Sequence, residues 1–181
     1  MFTFPIMAHS LQKASRARFF TAFSQSAIGA PFLSWSNLAN LGAFDNVHAQ
    51  TSVGNGSVIS ETIELKTPTS AFDIPEDATI TGIKVTIERH YTGTKTSVSG
   101  DIWVNKHGGG GGTKTDNNTW FQNADVFTYE YGGDGDLWGT TWTPADINGA
   151  NFSVQYRANG AGWVDATVKV DAISVTIYYE V

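Results

Sequence analysis

A strict two-residue alternation recurs through the second half of the chain, and it limits the fold more than any other feature. Near the end, Ile173, Val175, Ile177 and Tyr179 alternate with Ser174, Thr176 and Tyr178. Ile83, Val85 and Ile87 alternate with Lys84, Thr86 and Glu88, and Phe152, Val154 and Tyr156 alternate with Ser153, Gln155 and Arg157. Successive side chains of a strand point to opposite faces, so this spacing makes one apolar and one polar face, as in a half-buried antiparallel strand. Further strands are expected at residues 58–65, 100–105, 126–131 and 167–170. Turn-forming stretches separate them at 73–77, 108–112, 132–135 and 159–162. Seven or eight short strands so punctuated predict an all-β fold, an antiparallel two-sheet sandwich that is jelly-roll-like. No repeat of fixed period is present, which argues against solenoids and propellers.

Composition supports this reading and removes several function classes. Charged residues make up 15% of the 181 residues, against roughly 25% in an average soluble protein. Gly (19 residues) and aromatics (13%) are prominent in their place. The chain has no Cys, which excludes a disulfide scaffold, a thiolate zinc site and a cysteine nucleophile. A net charge of −6 and a pI near 5.0 argue against nucleic acid as a partner, since such binding rests on phosphate neutralisation. No apolar run approaches the 18 residues of a membrane helix, so no membrane association is expected.

The first third of the chain differs in kind. Residues 1–56 hold Lys13, Arg16 and Arg18 against one acid, Asp45, whereas residues 57–181 hold the other 8 basic and 16 acidic residues. Residues 8–23 suit a short helix with Leu11, Phe19, Phe20 and Phe23 near one side. Phe2, Phe4 and Ile6 precede the charges, the reverse of a secretory leader. The expectation is therefore an N-terminal extended or helical arm, residues 1–34, joined to a sandwich of residues 35–181. A segment this rich in Phe exposes apolar surface and so is expected to dock on a partner. Its contacts would be Phe2, Phe4, Ile6, Phe19, Phe20 and Phe23, with Lys13, Arg16 and Arg18 meeting acidic surface.

No chemical signature accompanies this fold. His9, His48, His90 and His107 lack metal-ligand spacing, and no Gly-x-Ser-x-Gly elbow is present. Neither a catalytic residue, a metal site nor a cofactor is expected. Asp101, Glu88, Asp134 and Asp136 are numerous enough for a carboxylate pair, but number is not geometry. Asp134-Gly-Asp136 reads as a hairpin turn, and Gly108 to Gly112 as a flexible connection. The Asn-x-Ser/Thr matches at Asn55, Asn117 and Asn151 are expected by chance in such a composition. Of the six Trp, Trp103, Trp138 and Trp142 are candidate glycan or interface aromatics; Trp138 and Trp142 equally suit a plug at the open end of the sandwich.

Several phrases resemble a β-sandwich domain of tailed-phage virion structural proteins. They are Trp35-Ser-Asn with Asp45-Asn46-Val-His-Ala49, Phe72-Asp-Ile-Pro75 leading into Ala78-Thr-Ile80-Thr-Gly-Ile83, and Tyr131-Gly-Gly-Asp134-Gly-Asp136-Leu-Trp138-Gly. Thr141-Trp-Thr-Pro144-Ala-Asp-Ile-Asn148, Asn151-Phe152-Ser-Val154 and the closing 170–179 complete the set. The resemblance covers residues 35–181 and consists of core and turn pattern. It implies a non-enzymatic structural component of a virion. The leading expectation is a capsid decoration (cement) protein that attaches to shell subunits through the arm and forms a homo-oligomer, a trimer among the options. The alternative is a tail-associated component that recognises host surface glycan.

Overall fold

The computed structural model describes residues 12–26, 34–53, 58–59, 62–66, 72–93, 97–106, 110–118, 127–161 and 166–181. Among these residues eleven strands form two antiparallel sheets. In the first sheet β1 (Lys13–Phe19), β11 (Ala166–Glu180), β6 (Thr79–Gly93) and β9 (Phe127–Asp134) lie in that order, with β3 (Ala49–Val53) also pairing β11. In the second, β2 (Ala22–Ser26), β5 (Thr62–Lys66), β10 (Ser153–Ala161), β7 (Ser97–Asn105) and β8 (Gly111–Asp116) lie in order, with β4 (Val58–Ile59) on β10. The antiparallel two-sheet sandwich is thus the fold of the described residues.

The alternating runs do what their period dictates. Ile83, Val85 and Ile87 of β6 and Ile173, Val175 and Ile177 of β11 are fully buried. Across from them Leu65, Ile102, Val104, Val154 and Tyr156 line the inner face of the second sheet. Each such side chain contributes about 1.5–3 kcal/mol on leaving water. The expected strand at 167–170 and the C-terminal strand are one element, continuous through a register shift between Val170 and Ala172 that marks a bulge at Asp171. The expected strand at 58–65 is two, β4 and β5.

Two phrases of the virion-like pattern meet at one end of the sandwich. Thr143 and Asp146 form a capping box that starts a one-turn helix, α1 (Pro144–Asn148), with Pro144 at its first position. The Asn148 side chain then accepts from Ile74 N–H (3.1 Å) and donates to Ile74 C=O (2.8 Å). The amide acts as a surrogate strand partner, fastening the 72–75 turn to the helix.

The N-terminal expectation needs correcting from Gln12 onward. Residues 13–19 and 22–26 are strands, not a helix: β1 pairs β11 from Lys13↔Glu180 to Phe19↔Ser174, and β2 pairs β5 from Ala22↔Lys66 to Ser26↔Thr62. Phe20, at the crossing between sheets, is buried in the core, and Phe23 packs against it. The arm boundary at residue 34 therefore falls after two strands that belong to the sandwich. The physical reason is that β11 and β5 each leave an edge of unpaired backbone groups, and covering an edge requires no side-chain pattern. Phe2, Phe4 and Ile6 lie outside the described residues.

Glycines at 111 and 112, expected in a flexible connection, start strand β8 instead. A Cβ on Gly112 would meet Trp138 O at 2.0 Å, so the residue is there to let two backbones approach.

Candidate functional site

The second sheet turns a polar face with one large aromatic to solvent. Paired residues on adjacent strands share a face, so the register places Thr113, Trp103, Gln155, Glu64 and Ser24 in one row across β8, β7, β10, β5 and β2. At about 4.8 Å between strands the row spans about 19 Å. The neighbouring row carries Thr115, Asp101 and Arg157. Trp103, on the strand next to the β8 edge, is half-buried within this array.

Its neighbours hold one another in place. Arg157 Nη2 donates to Asp101 Oδ2 (2.7 Å), Asn159 Nδ2 donates to the same oxygen (2.9 Å), and the guanidinium carbon lies 5.1 Å from the centre of the Trp103 ring. Gln155 Nε2 and Ser153 Oγ both donate to Glu64 Oε1 at 3.2 and 3.3 Å, and Lys66 pairs with the other Glu64 oxygen at 3.1 Å. Among the described residues both carboxylates on this face, Glu64 and Asp101, are matched by a cation. The result is a nearly charge-neutral surface of fixed hydrogen-bonding groups around an indole, pre-ordered before anything binds.

The other two candidate tryptophans are elsewhere. Trp138 is 5% exposed and Trp142 6%, and both belong to the core cluster. Trp138 Nε1 donates to Ile83 C=O (2.8 Å), and its backbone sits at φ 58, held there by a hydrogen bond from its N–H to Asp136 Oδ1 (2.9 Å). Trp142 Nε1 donates to Leu137 C=O (2.9 Å). Each indole spends its single donor on a backbone carbonyl and is buried in the core, so these two plug the sandwich and offer no face to a ligand.

The expected docking residues scatter. Lys13 pairs with Asp134 (3.1 Å) and Glu180 (3.9 Å) of its own sheet, and this contact, with Thr81 Oγ1, holds the Asp134 carboxyl below its usual range. Burial works to raise Asp136, but Lys114 and the Trp138 N–H hold it low. The two acids of the 134–136 stretch are thereby engaged in bracing the turn. Arg16 and Arg18 pair with Ile177 and Val175, so they share the core-facing side of the sheet while remaining exposed at its rim. Charge pointing inward on an outer strand discourages pairing with a foreign strand. Phe19 remains 39% exposed and meets the edge of Phe44 (45% exposed) at 5.2 Å, with Val47 (50%) nearby in sequence.

Two buried clusters carry charge. Between the sheets Arg89 Nε donates to Asp116 Oδ2 (2.6 Å) and its Nη2 to the other oxygen, with both side chains 0% exposed. The guanidinium lies 4.0 Å from the Tyr129 ring centre, and Tyr131 Oη accepts from Arg89 and from Asn118 Nδ2. Burial together with the Asp116 carboxylate lifts the Tyr131 and Tyr156 phenols above their usual range. Under the 43–48 segment, His48 and His90 stack edge to face at 4.7 Å, and Asp171 accepts from the Asp45 N–H (3.2 Å). Burial lowers both histidines, His90 to about 4, and raises Asp171 and Glu88. Among the described residues no group of three or more His, Asp or Glu is arranged to hold a metal ion. Sequence reasoning missed both clusters, although Arg89 breaking the apolar face of β6 was a visible signal of a buried charge.

No protein family matches the chain, and no curated protein matches it. Among solved structures it is similar to PfGH50B, at 10% identity and a TM-score of 0.45 over 86% of this chain and 22% of that one. It is similar to the enzymatically active domain of bacteriophage CBA120 tailspike protein 4, at 7% identity and 0.40 over 93% and 19%. It is also similar to the CBM22-1 xylan-binding domain of Paenibacillus barcinonensis Xyn10C, at 9% identity and 0.40 over 94% and 97%. The chain thus spans about a fifth of the length of the first two.

Proposed function

We propose that this chain is a non-catalytic recognition module of a tailed-phage particle, associated with the tail, that binds neutral surface glycan on the outer face of its second sheet. The observation that carries the reading is Trp103. A large aromatic half-buried on an outward sheet face, flanked by paired polar groups, suits a ligand with flat C–H faces and hydroxyl edges. The virion setting rests on the sequence resemblance alone.

The test is titration of the full chain with oligosaccharides of the host surface, first on a glycan array and then by calorimetry. Trp103→Ala is expected to weaken binding at least tenfold, about 1.4 kcal/mol, while the melting temperature moves little. Undiminished binding by that variant would remove Trp103 from the site. No binding by the wild type to any host polysaccharide would remove the glycan reading.

The second reading is capsid decoration, and one feature favours it: the Phe19, Phe44 and Val47 surface is apolar and open, as a protein contact would require. Labelling the chain on intact particles separates the two, since tail label supports glycan capture and uniform shell label supports decoration.

A further inference from the structure

The first sheet carries on its outer face a hollow of about 380 Å³ in which every lining residue among the described ones is Ser, Thr, Gln or Lys. Register explains how it is built. Thr92, Thr167 and Ser52 form one row across β6, β11 and β3; Lys169 and Gln50 form the next, and Ser36, bridged to Gln50, walls the open side. Six side chains from three strands and the 34–36 segment thus converge on one space. Among the described residues Lys169 is its only charged lining residue, and it makes no ion pair with any of them. In a chain of net charge −6 this is a local reversal of sign.

The lining defines the ligand. No aromatic or aliphatic surface is present, so nothing rewards the C–H face of a neutral sugar. One ammonium without a carboxylate favours one negative charge. No arginine fork is available for the bidentate grip on a doubly charged phosphate. Hydroxyls and an amide, each able to donate and accept, match a ligand that carries hydroxyls of its own. We propose that this hollow is a second binding site, for a small polyol with a single carboxylate, in chemical class a sugar acid. It lies on the sheet opposite Trp103 and does not depend on the glycan reading.

The experiment is calorimetric and NMR titration of the full chain with sodium D-glucuronate, with D-glucose and inorganic phosphate at matched ionic strength as the other arms. Expected is glucuronate binding at least tenfold tighter than glucose or phosphate, weakening with added salt. Amide shifts should fall on Thr92, Thr167 and Ser52. Lys169→Met should reduce affinity at least tenfold, Thr167→Val several-fold, and Trp103→Ala not at all. Should Lys169→Met not fold, the shift map on the wild type decides. Overturning results are no glucuronate binding, equal binding of glucose, equal binding of phosphate (a site that reads charge alone), or shifts confined to other residues.

Discussion

The chain builds the same small assembly twice, once inside the sandwich and once outside. Inside, Arg89 pairs with Asp116 over the ring of Tyr129; outside, Arg157 pairs with Asp101 over the ring of Trp103. Both consist of an arginine, an aspartate and an aromatic ring in contact. They differ in water. The inner pair is 0% exposed on both sides, whereas the outer side chains retain 26% and 19%. The inner set joins β6 of one sheet to β8 of the other, so its hydrogen bonds hold the two layers together. The outer set joins two adjacent strands of one sheet already held by their backbones. One arrangement therefore serves the fold and the other is free to serve a ligand.

Three variants test this contrast, the most damaging first. Asp116→Ala leaves a guanidinium buried without its carboxylate and is expected to cost about 3–5 kcal/mol of stability, read by chemical denaturation. The double variant Arg89→Met with Asp116→Leu should recover most of that loss, because a buried pair is often replaceable by apolar groups of similar volume. A loss below about 1 kcal/mol for the single variant would erase the distinction between inside and outside.

The histidine cluster is an intermediate case, covered by a loop rather than by a sheet. Burial holds His90 near 4 when folded against 6.5 unfolded, with Lys169 and His48 acting the same way. Between those values the unfolded chain binds a proton that the folded chain refuses. Stability should therefore fall as pH drops through 6.5, by about 1–2 kcal/mol between pH 7 and 5. His48 adds to this slope, tempered by Asp171 and Asp45. Asp171 and Glu88, raised by burial, act in the opposite sense at lower pH, where carboxylates titrate. His90→Gln should flatten the pH 5–7 limb of a melting-temperature profile; an unchanged limb would place its source elsewhere.

The smallest effect belongs to the outer pair. Asp101→Ala should cost under about 1 kcal/mol, since partly solvated pairs are worth little. It should nevertheless weaken the glycan binding proposed above by releasing the Arg157 side chain from over Trp103. A stability loss as large as that of Asp116→Ala would mean the outer face is structural after all.

Legibility in the sequence followed the same division. Strands β6, β10 and β11 could be read because each buries one face and leaves the other wet, which writes a period of two into the residues. Strand β1 could not: Lys13-Ala-Ser-Arg-Ala-Arg-Phe19 has no apolar face and is exposed along almost its whole length. Its residues have ordinary helix propensity, and the edge of β11 overrides that preference. Trp103, Trp138 and Trp142 looked alike as candidates, since a sequence gives an indole's identity and not the neighbour that will cover it.

The sequence by itself determined that the chain would fold as two antiparallel sheets over an apolar core, because alternation is a local property that strands cannot hide. The missing cysteines likewise leave this chain without a thiolate ligand, a cysteine nucleophile or a disulfide of its own. Only the tertiary structure decided that residues 13–26 complete both sheets, that Arg89 finds Asp116 27 positions away, and that Trp103 alone of the three candidates faces solvent. Those outcomes depend on which edges and faces meet, and that is set by long-range packing that no local pattern encodes.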